Sequence, residues 1–426
     1  MPAHDIHRAI EAVWRIESAK IIGGVARLVR DVGLAEELAQ DTLLSALERW
    51  PATGVPDNPG AWLMAAAKNR ALDHFRRVKL LDRKHEELAH ELELAQQMQG
   101  FDANAAIDDD IGDDLLRLMF VACHPLLSTD ARVALTLRLL GGLTTGEIAR
   151  AFVVPEPTIA QRIVRAKRTL ADSSVPFEVP RADELQPRLA SVLEVIYLIF
   201  NEGYSTSAGD DLTRPALCED ALRLGRVLAE LAPGEPEVHG LVALMELHAS
   251  RLRARTDAAG NAVLLLDQNR ARWDYVLVNR GLAALDRAKR LAGTAGPYLL
   301  QAEIAACHAR AQEATNTDWV RIAALYTRLL QIAPSPIVEL NRAVAIGMAF
   351  GPAAGLELAD ALLSEPSLRA YHLLSSVRAD LLFKLARFDQ ARAEFERAAE
   401  LTRNARERQQ LLERAAVSAQ RVAGNR

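Results

Sequence analysis

Apolar residues recur at three- and four-residue spacing along nearly the whole of this 426-residue chain, and no alternating run of useful strand length interrupts them. That period buries a face only as an α-helix, so it predicts an all-α fold. Ala, Leu, Arg and Glu dominate, and aromatics make up only 5%, a mix that favours helices over strands. The chain is longer than one ordinary core, so about two to four domains are expected.

Turn-forming residues break the periodicity in a few places. Pro51 to Gly60 is turn-rich, and Asn58-Pro59 reads as an N-cap followed by proline at the first helical position. Ser173, Ser174, Pro176, Pro180 and Pro187 cluster at a second boundary. Between these lies an acidic stretch. The expected segments are 1–84, an acidic linker over 85–114, 115–175, and a long helical region over 185–426.

Charge is patterned along the chain although the net value is only −5. Ala61 to Lys84 holds seven Lys/Arg against two Asp/Glu, and Arg132 to Arg168 holds seven against two. His85 to Asp114 holds ten acidic residues and no Lys or Arg. Two basic modules on an acidic tether are what a polyanion-binding protein presents, although solvated helix faces give the same tally.

Several function classes are disfavoured. The first fifteen residues contain no apolar core of a signal peptide, and no run of about 18 apolar residues occurs. Cys123, Cys218 and Cys307 are scattered, which suits a reducing cytoplasm. Cys123-His124 and Cys307-His308 lack metal-ligand spacing. No nucleophile elbow, P-loop, dinucleotide fingerprint or metal-ligand cluster is visible, so no enzyme activity, catalytic residue, cofactor or metal is expected.

The most informative stretch is Thr144 to Arg168. Thr144 and Glu147 have capping-box spacing, and Ile148, Ala149 and Phe152 face inward from the helix that follows. Pro155 disfavours α geometry at Val154, and Pro157 suits the first turn of a new helix. Ile159, Ile163, Ala166 and Leu170 form the inner stripe of that helix. Thr158, Gln161, Arg162, Arg165 and Arg168 lie on the opposite face. Two short helices joined by a tight turn, the second basic outside, predict a helix-turn-helix. Its forked Arg and Gln groups are suited to base edges, and its later cations to phosphates.

The other basic helix differs in kind. Trp62, Ala65, Ala66, Asn69, Asp73 and Arg76 share a face, with Lys68, Arg70, Arg77 and Lys79 nearby. An aromatic, an amide and a carboxylate among cations suit separated strands better than intact duplex. Asp73 has a second reading as an intrahelical partner of Arg70 or Arg77. Trp62 has one as a core residue.

These residues carry a resemblance. Trp62-Leu63, Lys68-Asn69-Arg70, Asp73 and Arg76-Arg77 look like the promoter-melting helix, regions 2.3 and 2.4, of extracytoplasmic-function (ECF) sigma factors of the sigma-70 family. Ala35 to Thr42 resembles region 2.2. Arg138 to Lys167 resembles region 4, with Gln161-Arg162 and Arg165-Ala166-Lys167 especially typical. The order is that of the family, with no region 3 between, and the likeness covers about residues 5 to 172. Ala66 departs from it, since a larger aliphatic residue is usual there. The resemblance implies a sigma factor that brings RNA polymerase core to promoters and aids −10 melting. Glu37, Leu38, Gln40 and Asp41 would dock on the β′ clamp helices, and region 4 would also meet the β flap. Thr158, Gln161, Arg162, Arg165, Lys167 and Arg168 would read the −35 element. Trp62, Lys68, Asn69, Arg70, Asp73, Arg76 and Arg77 would capture the −10 strand. The acidic linker would run through the basic RNA exit path.

The region beyond is unusual, because minimal members of that family end soon after region 4. Leu385-Ala386-Arg387-Phe388, Ala391, Phe395 and Ala398 have the spacing of a tetratricopeptide helix pair, and Gly351-Pro352 marks a turn about one repeat earlier. The extension resembles a sigma subgroup with a tetratricopeptide-like C-terminal domain, which is expected to control activity in cis, with a regulatory protein as a possible partner. A plain helical bundle is the alternative. Asp267, Arg270, Trp273 and Asp274 read either as the lining of a site or as a buried polar network. Gly203 reads as a helix C-cap. The rival functional reading is a helix-turn-helix regulator with a sensing repeat domain. It leaves Trp62 and Asp41 unexplained.

Overall fold

The computed structural model describes residues 3–82, 107–152, 154–205, 213–257 and 262–424. Among them are eighteen α-helices, a few 3-10 turns and no strand beyond one isolated bridge, Thr256 to Ala262. The protein divides into two units, Met1–Ile196 and Tyr197–Arg426.

The first unit begins with α1 (Ala3–Val29), α2 (Val32–Thr53) and α3 (Pro59–Asp82). Their stripes meet in a core of Ile10, Ile22, Val25, Ala35, Ala39, Trp50, Leu63 and Ala67, each 2% exposed or less. Asp31 caps α2 by accepting from the Leu34 amide at 3.0 Å, and Asn58 caps α3 by accepting from Ala61 N at 3.0 Å. Both supply an acceptor to an otherwise unpaired first-turn amide. Trp50 and Trp62 meet edge to face at 5.4 Å, which ties the end of α2 to the start of α3.

Most of the acidic linker lies outside the described residues. Its last part, from Ile107, is already helical as the start of α4 (Ile107–Ala122). Next come α5 (Thr129–Leu139), α6 (Thr145–Phe152) and α7 (Glu156–Asp172). α5 stops at Leu140, and the chain turns at Gly142, whose φ of +70° suits glycine. A Cβ there would lie 3.1 Å from the Ser18 hydroxyl on α1, so close packing asks for glycine as well.

α8 (Ala182–Tyr204) spans the division between the units. Its first half belongs to the first unit. There Arg132 donates to Glu194 at 3.0 Å and Arg188 donates to the Phe120 carbonyl at 2.9 Å. The Ser191 hydroxyl donates to the Cys123 carbonyl at 2.6 Å.

The second unit continues with α9 (Pro215–Leu231), α10 (Pro236–Ala249), α11 (Tyr275–Leu291), α12 (Pro297–Arg310) and α13 (Trp319–Ile332). α14 (Pro336–Phe350), α15 (Pro352–Ala361), α16 (His372–Lys384), α17 (Phe388–Leu401) and α18 (Ala405–Gly424) complete it. Most of these helices pack on the next in sequence. Gly351 (φ +106°) and Ala386 (φ +58°) make two of the turns, and Ala391, Phe395 and Ala398 are fully buried. Gly203 is not a C-cap. It lies in the last turn of α8, where a Cβ would come within 2.8 Å of the Cys218 amide and the Leu217 Cβ, so the glycine permits close approach of α9.

Candidate nucleic-acid interface

The basic segment from Thr144 folds as two helices meeting at Pro155. The Thr144 amide and hydroxyl donate to Glu147 Oε2 at 2.7 and 2.9 Å, and Glu147 N donates back to Thr144 Oγ1 at 3.2 Å. Burial opposes ionisation of Glu147, but these two Thr144 bonds and the nearby Arg15 and Arg150 outweigh it, so its pKa falls below 4.5. Val154 N donates to the Ala149 carbonyl at 3.1 Å and closes the turn. In α7, Ile159, Ile163, Ala166 and Leu170 are buried. Removing a side chain such as Ile163 would cost about 2–5 kcal/mol, so the core fixes which face of α7 points out.

That outer face carries exposed Gln161, Arg165 and Arg168, with Thr158 half-buried at its start. Arg162 pairs with Asp130 at 3.0 Å, and Arg168 with Asp172 at 3.5 Å. Side-chain exposures of 34% and 67%, and 80% and 69%, leave both pairs solvated. Such pairs are worth about 0–1 kcal/mol, so a phosphate can displace either carboxylate. Lys167 differs. It turns inward and pairs with Glu36 on α2.

On α3, Asn69, Asp73, Arg76 and Arg77 are exposed, Lys68 and Trp62 are half-buried, and Leu72 and Phe75 add 48% and 41% exposed apolar surface. Asp73 pairs with Arg76 at 3.2 Å, rather than with Arg70 or Arg77. Arg70 reaches α2, where it donates to the Ser45 hydroxyl and lies 3.7 Å from Asp41 Oδ2. This side of the helix mixes cations, an amide and aromatic carbon, which suits unstacked bases held beside phosphates.

On α2, Glu37 and Asp41 are exposed, Gln40 is half-buried and Leu38 is buried at 8%. Leu38 therefore packs in the core, and the outward polar groups of this segment are Glu37, Gln40 and Asp41. Gln40 Nε2 donates to Glu36 Oε1 at 2.5 Å.

Glu36 is the buried charge that the sequence pattern passes over. It is 3% exposed, and it meets Arg138 Nε of α5 at 2.6 Å and Lys167 of α7. A carboxylate this buried needs paired charge or it neutralises. Its position on the inner stripe of α2, beside Val32, Ala35 and Ala39, was the available signal. Arg15 to Glu147 at 3.3 Å and Arg27 to the buried Asp114 at 3.4 Å tie α1 to α6 and α4 in the same unit. Region 2-like and region 4-like helices thus pack within one unit.

Comparison with known proteins agrees with this geometry. Residues 17–80 match the sigma-70 region 2 model and 117–170 the sigma-70 region 4 model. Residues 188–289 match a family of unknown function, DUF6596. The ECF RNA polymerase sigma factor SigK of Mycobacterium ulcerans is 31% identical over 156 residues, 35% of this chain and 78% of that protein. SigC of Mycobacterium tuberculosis is 29% identical over 174 residues, 40% of this chain and 86% of its own length. Uncharacterized protein R00370 of Rhizobium meliloti is 42% identical over 392 residues, 91% and 90% of the two chains. No solved structure matches.

The chain belongs to the ECF sigma factors, the class of sigma-70 proteins built from regions 2 and 4. It directs RNA polymerase core to promoter DNA, and it carries a helical C-terminal extension. Members of this family act by binding and are not enzymes. Among the described residues, no helix is long and apolar enough to cross a membrane, and no group of three His, Cys, Asp or Glu could hold a metal.

Proposed function

We propose that the exposed face of α7, led by Gln161, Arg162 and Arg165 with Arg168 on phosphate, reads the −35 major groove. The observation that carries this reading is the burial of Ile159, Ile163, Ala166 and Leu170, which leaves those polar groups outward. Asn69, Asp73, Arg76 and Arg77 of α3, with Trp62 and Lys68 at its base, hold the −10 strand. Glu37, Gln40 and Asp41 dock on the β′ clamp helices, with Leu38 beneath them as packing, and region 4 also meets the β flap.

The two promoter elements lie about 25 base pairs apart, roughly 85 Å at 3.4 Å per pair. A compact body of this unit's length has a radius of gyration of only about 16 Å. Both DNA-reading helices cannot reach their elements while Glu36 holds Arg138 and Lys167. Promoter engagement therefore includes release of that contact, after which Lys167 is freed toward DNA. The acidic linker supplies the reach and passes through the basic RNA exit path.

The C-terminal extension, a tetratricopeptide-like array in this reading, controls activity in cis and offers a surface to a regulatory protein. Successive helices packing on one another support a repeat architecture.

The test is in vitro transcription with purified core polymerase on a promoter library, comparing the full chain with E37K and D41K variants. Core-dependent, specific starts that both variants lose are expected. Specific starts unaffected by either charge reversal would remove α2 from the docking surface.

A further inference from the structure

In the second unit, three arginines converge without a carboxylate partner. The Arg255 guanidinium stacks on the Tyr204 ring at 3.9 Å, and that of Arg251 lies 5.8 Å from the same ring. Arg251 is also 5.8 Å from the Trp273 ring, and Arg270 is 4.6 Å from it. Cations and rings thus alternate in one continuous cluster, drawn from the end of α8 and the 3-10 turns between α10 and α11. His248 joins it, 5.0 Å from Tyr204.

The donors of this cluster are under-used. Arg251 is 8% exposed, and its side chain makes no hydrogen bond or ion pair among the described residues. Arg270 Nη1 donates to the His308 and Ala311 carbonyls at 2.5 and 2.8 Å, while its buried Nη2 has no partner. Arg255 Nε, Trp273 Nε1 and His308 Nδ1 are likewise buried and unpartnered. Trp273 is 5% exposed and His308 9%. Burial and then the neighbouring Arg251 and Arg270 push His308 down to about 3, so it stays neutral.

Elsewhere in the same unit, buried charge is answered. Glu246 meets Arg226 at 2.9 Å and Arg280 at 3.4 Å. Glu303 meets Lys289 at 2.5 Å, and Asp380 meets Lys384 at 2.8 Å and Arg414 at 2.5 Å. The acid that Arg255 influences, Glu407, is already engaged by His372 at 3.2 Å and the Thr402 hydroxyl at 2.8 Å. Three guanidiniums held by aromatic rings and, for Arg270, two backbone carbonyls, with no carboxylate among them, are a costly arrangement unless something else supplies negative charge.

We propose that this cluster is a binding site for a small, multiply charged oxyanion of the phosphate or polycarboxylate class. The forked groups of Arg251, Arg255 and Arg270 donate to its oxygens in charge-assisted bonds, and Trp273 Nε1 adds a neutral donor. A single negative charge would leave two of the three cations unanswered, which is why the ligand is multiply charged. The extension is then a receptor for a metabolite, and this assignment does not depend on how the first unit meets promoter DNA.

The experiment is thermal unfolding and calorimetric titration of the full chain with inorganic phosphate, citrate and acetate, each against sodium chloride at matched ionic strength. Saturable binding of phosphate or citrate, with a rise on the order of 2–4 °C in the unfolding midpoint, is expected. R251M and R255M should lose the response, while their ligand-free midpoints stay level or rise, because an unanswered charge has gone. R270M serves as a third variant if R251M does not fold. No response to phosphate or citrate beyond chloride would overturn the proposal. So would an equal response to acetate, or a response that survives in both R251M and R255M. Falling ligand-free midpoints in both variants, with no anion response in the parent, would show the arginines to be structural props.

Discussion

Lys167 on α7 and Glu36 on α2 form an ion pair in the interior of the first unit, and Arg138 closes on the same carboxylate at 2.6 Å. One buried acid therefore holds two helices of region 4 against region 2. Glu36→Gln is expected to destabilise that contact by about 2–3 kcal/mol. This is below the ~3–5 kcal/mol of a fully buried pair, because Arg138 and Lys167 keep 22% and 21% of their side chains exposed. Amide exchange in α7 should speed up accordingly. Glu36→Met combined with Arg138→Met and Lys167→Met should restore slow exchange. Unchanged α7 protection in Glu36→Gln would show that the pair does not hold the contact.

Gln161, Arg165 and Arg168 should fail differently when changed to Ala. The first two are expected to lose about 1–3 kcal/mol of discrimination at particular −35 positions. Arg168→Ala should weaken binding evenly across sequences and reduce the salt slope by about one. Promoter-library transcription at two salt concentrations separates the two patterns. A uniform loss for Gln161→Ala would take it off the base edges.

The reciprocal cap at Thr144 makes a pH-dependent contribution. Glu147 titrates below its ordinary 4.5, so the stability it supplies is present at neutral pH and is lost as pH falls through its folded value, below about 4.5. Thr144→Ala should cost about 1 kcal/mol at pH 7, and the difference from the parent should shrink toward pH 3. Unfolding midpoints at the two pH values measure this. A deficit that does not change with pH would mean that the Thr144 hydroxyl acts without the carboxylate.

Where the extension is cut should matter. Ending the chain at 175 removes Arg188, Ser191 and Glu194, and leaves the Phe120 and Cys123 carbonyls and Arg132 without those partners. A chain ending after Ser205 keeps all three. The shorter form is expected to melt several degrees lower, on the scale of ~1–3 kcal/mol per buried group left unsatisfied. Equal melting of the two forms would show the first half of α8 to be dispensable.

The local grammar of the fold was legible in the sequence. The Asn58 and Thr144 caps, the break at Pro155 and the inner stripe from Ile159 to Leu170 follow from short-range sterics and hydrogen bonding, and each sits where the spacing places it. Long-range pairing was not legible in the same way. Lys167 reads as one more outward cation until α2 is packed against it, and Leu38 reads as a docking residue although it lies on a buried stripe. In the extension, Arg270 and Trp273 stand out in sequence because they are neighbours. Arg251, Arg255 and His308 join them only through folding, and Asp274 turns out to cap α11 by accepting from the Val276 and Leu277 amides.

Arg70 reaches back from α3 to Ser45 and Asp41 on α2. For a geneticist, this makes two seemingly separate loci one. Alleles at 41 that test the proposed polymerase contact will also release Arg70, which the proposal sets beside the −10 strand, and alleles at 70 will disturb α2. Double mutants at 41 and 70 should be epistatic rather than additive, and a suppressor of one is to be sought at the other.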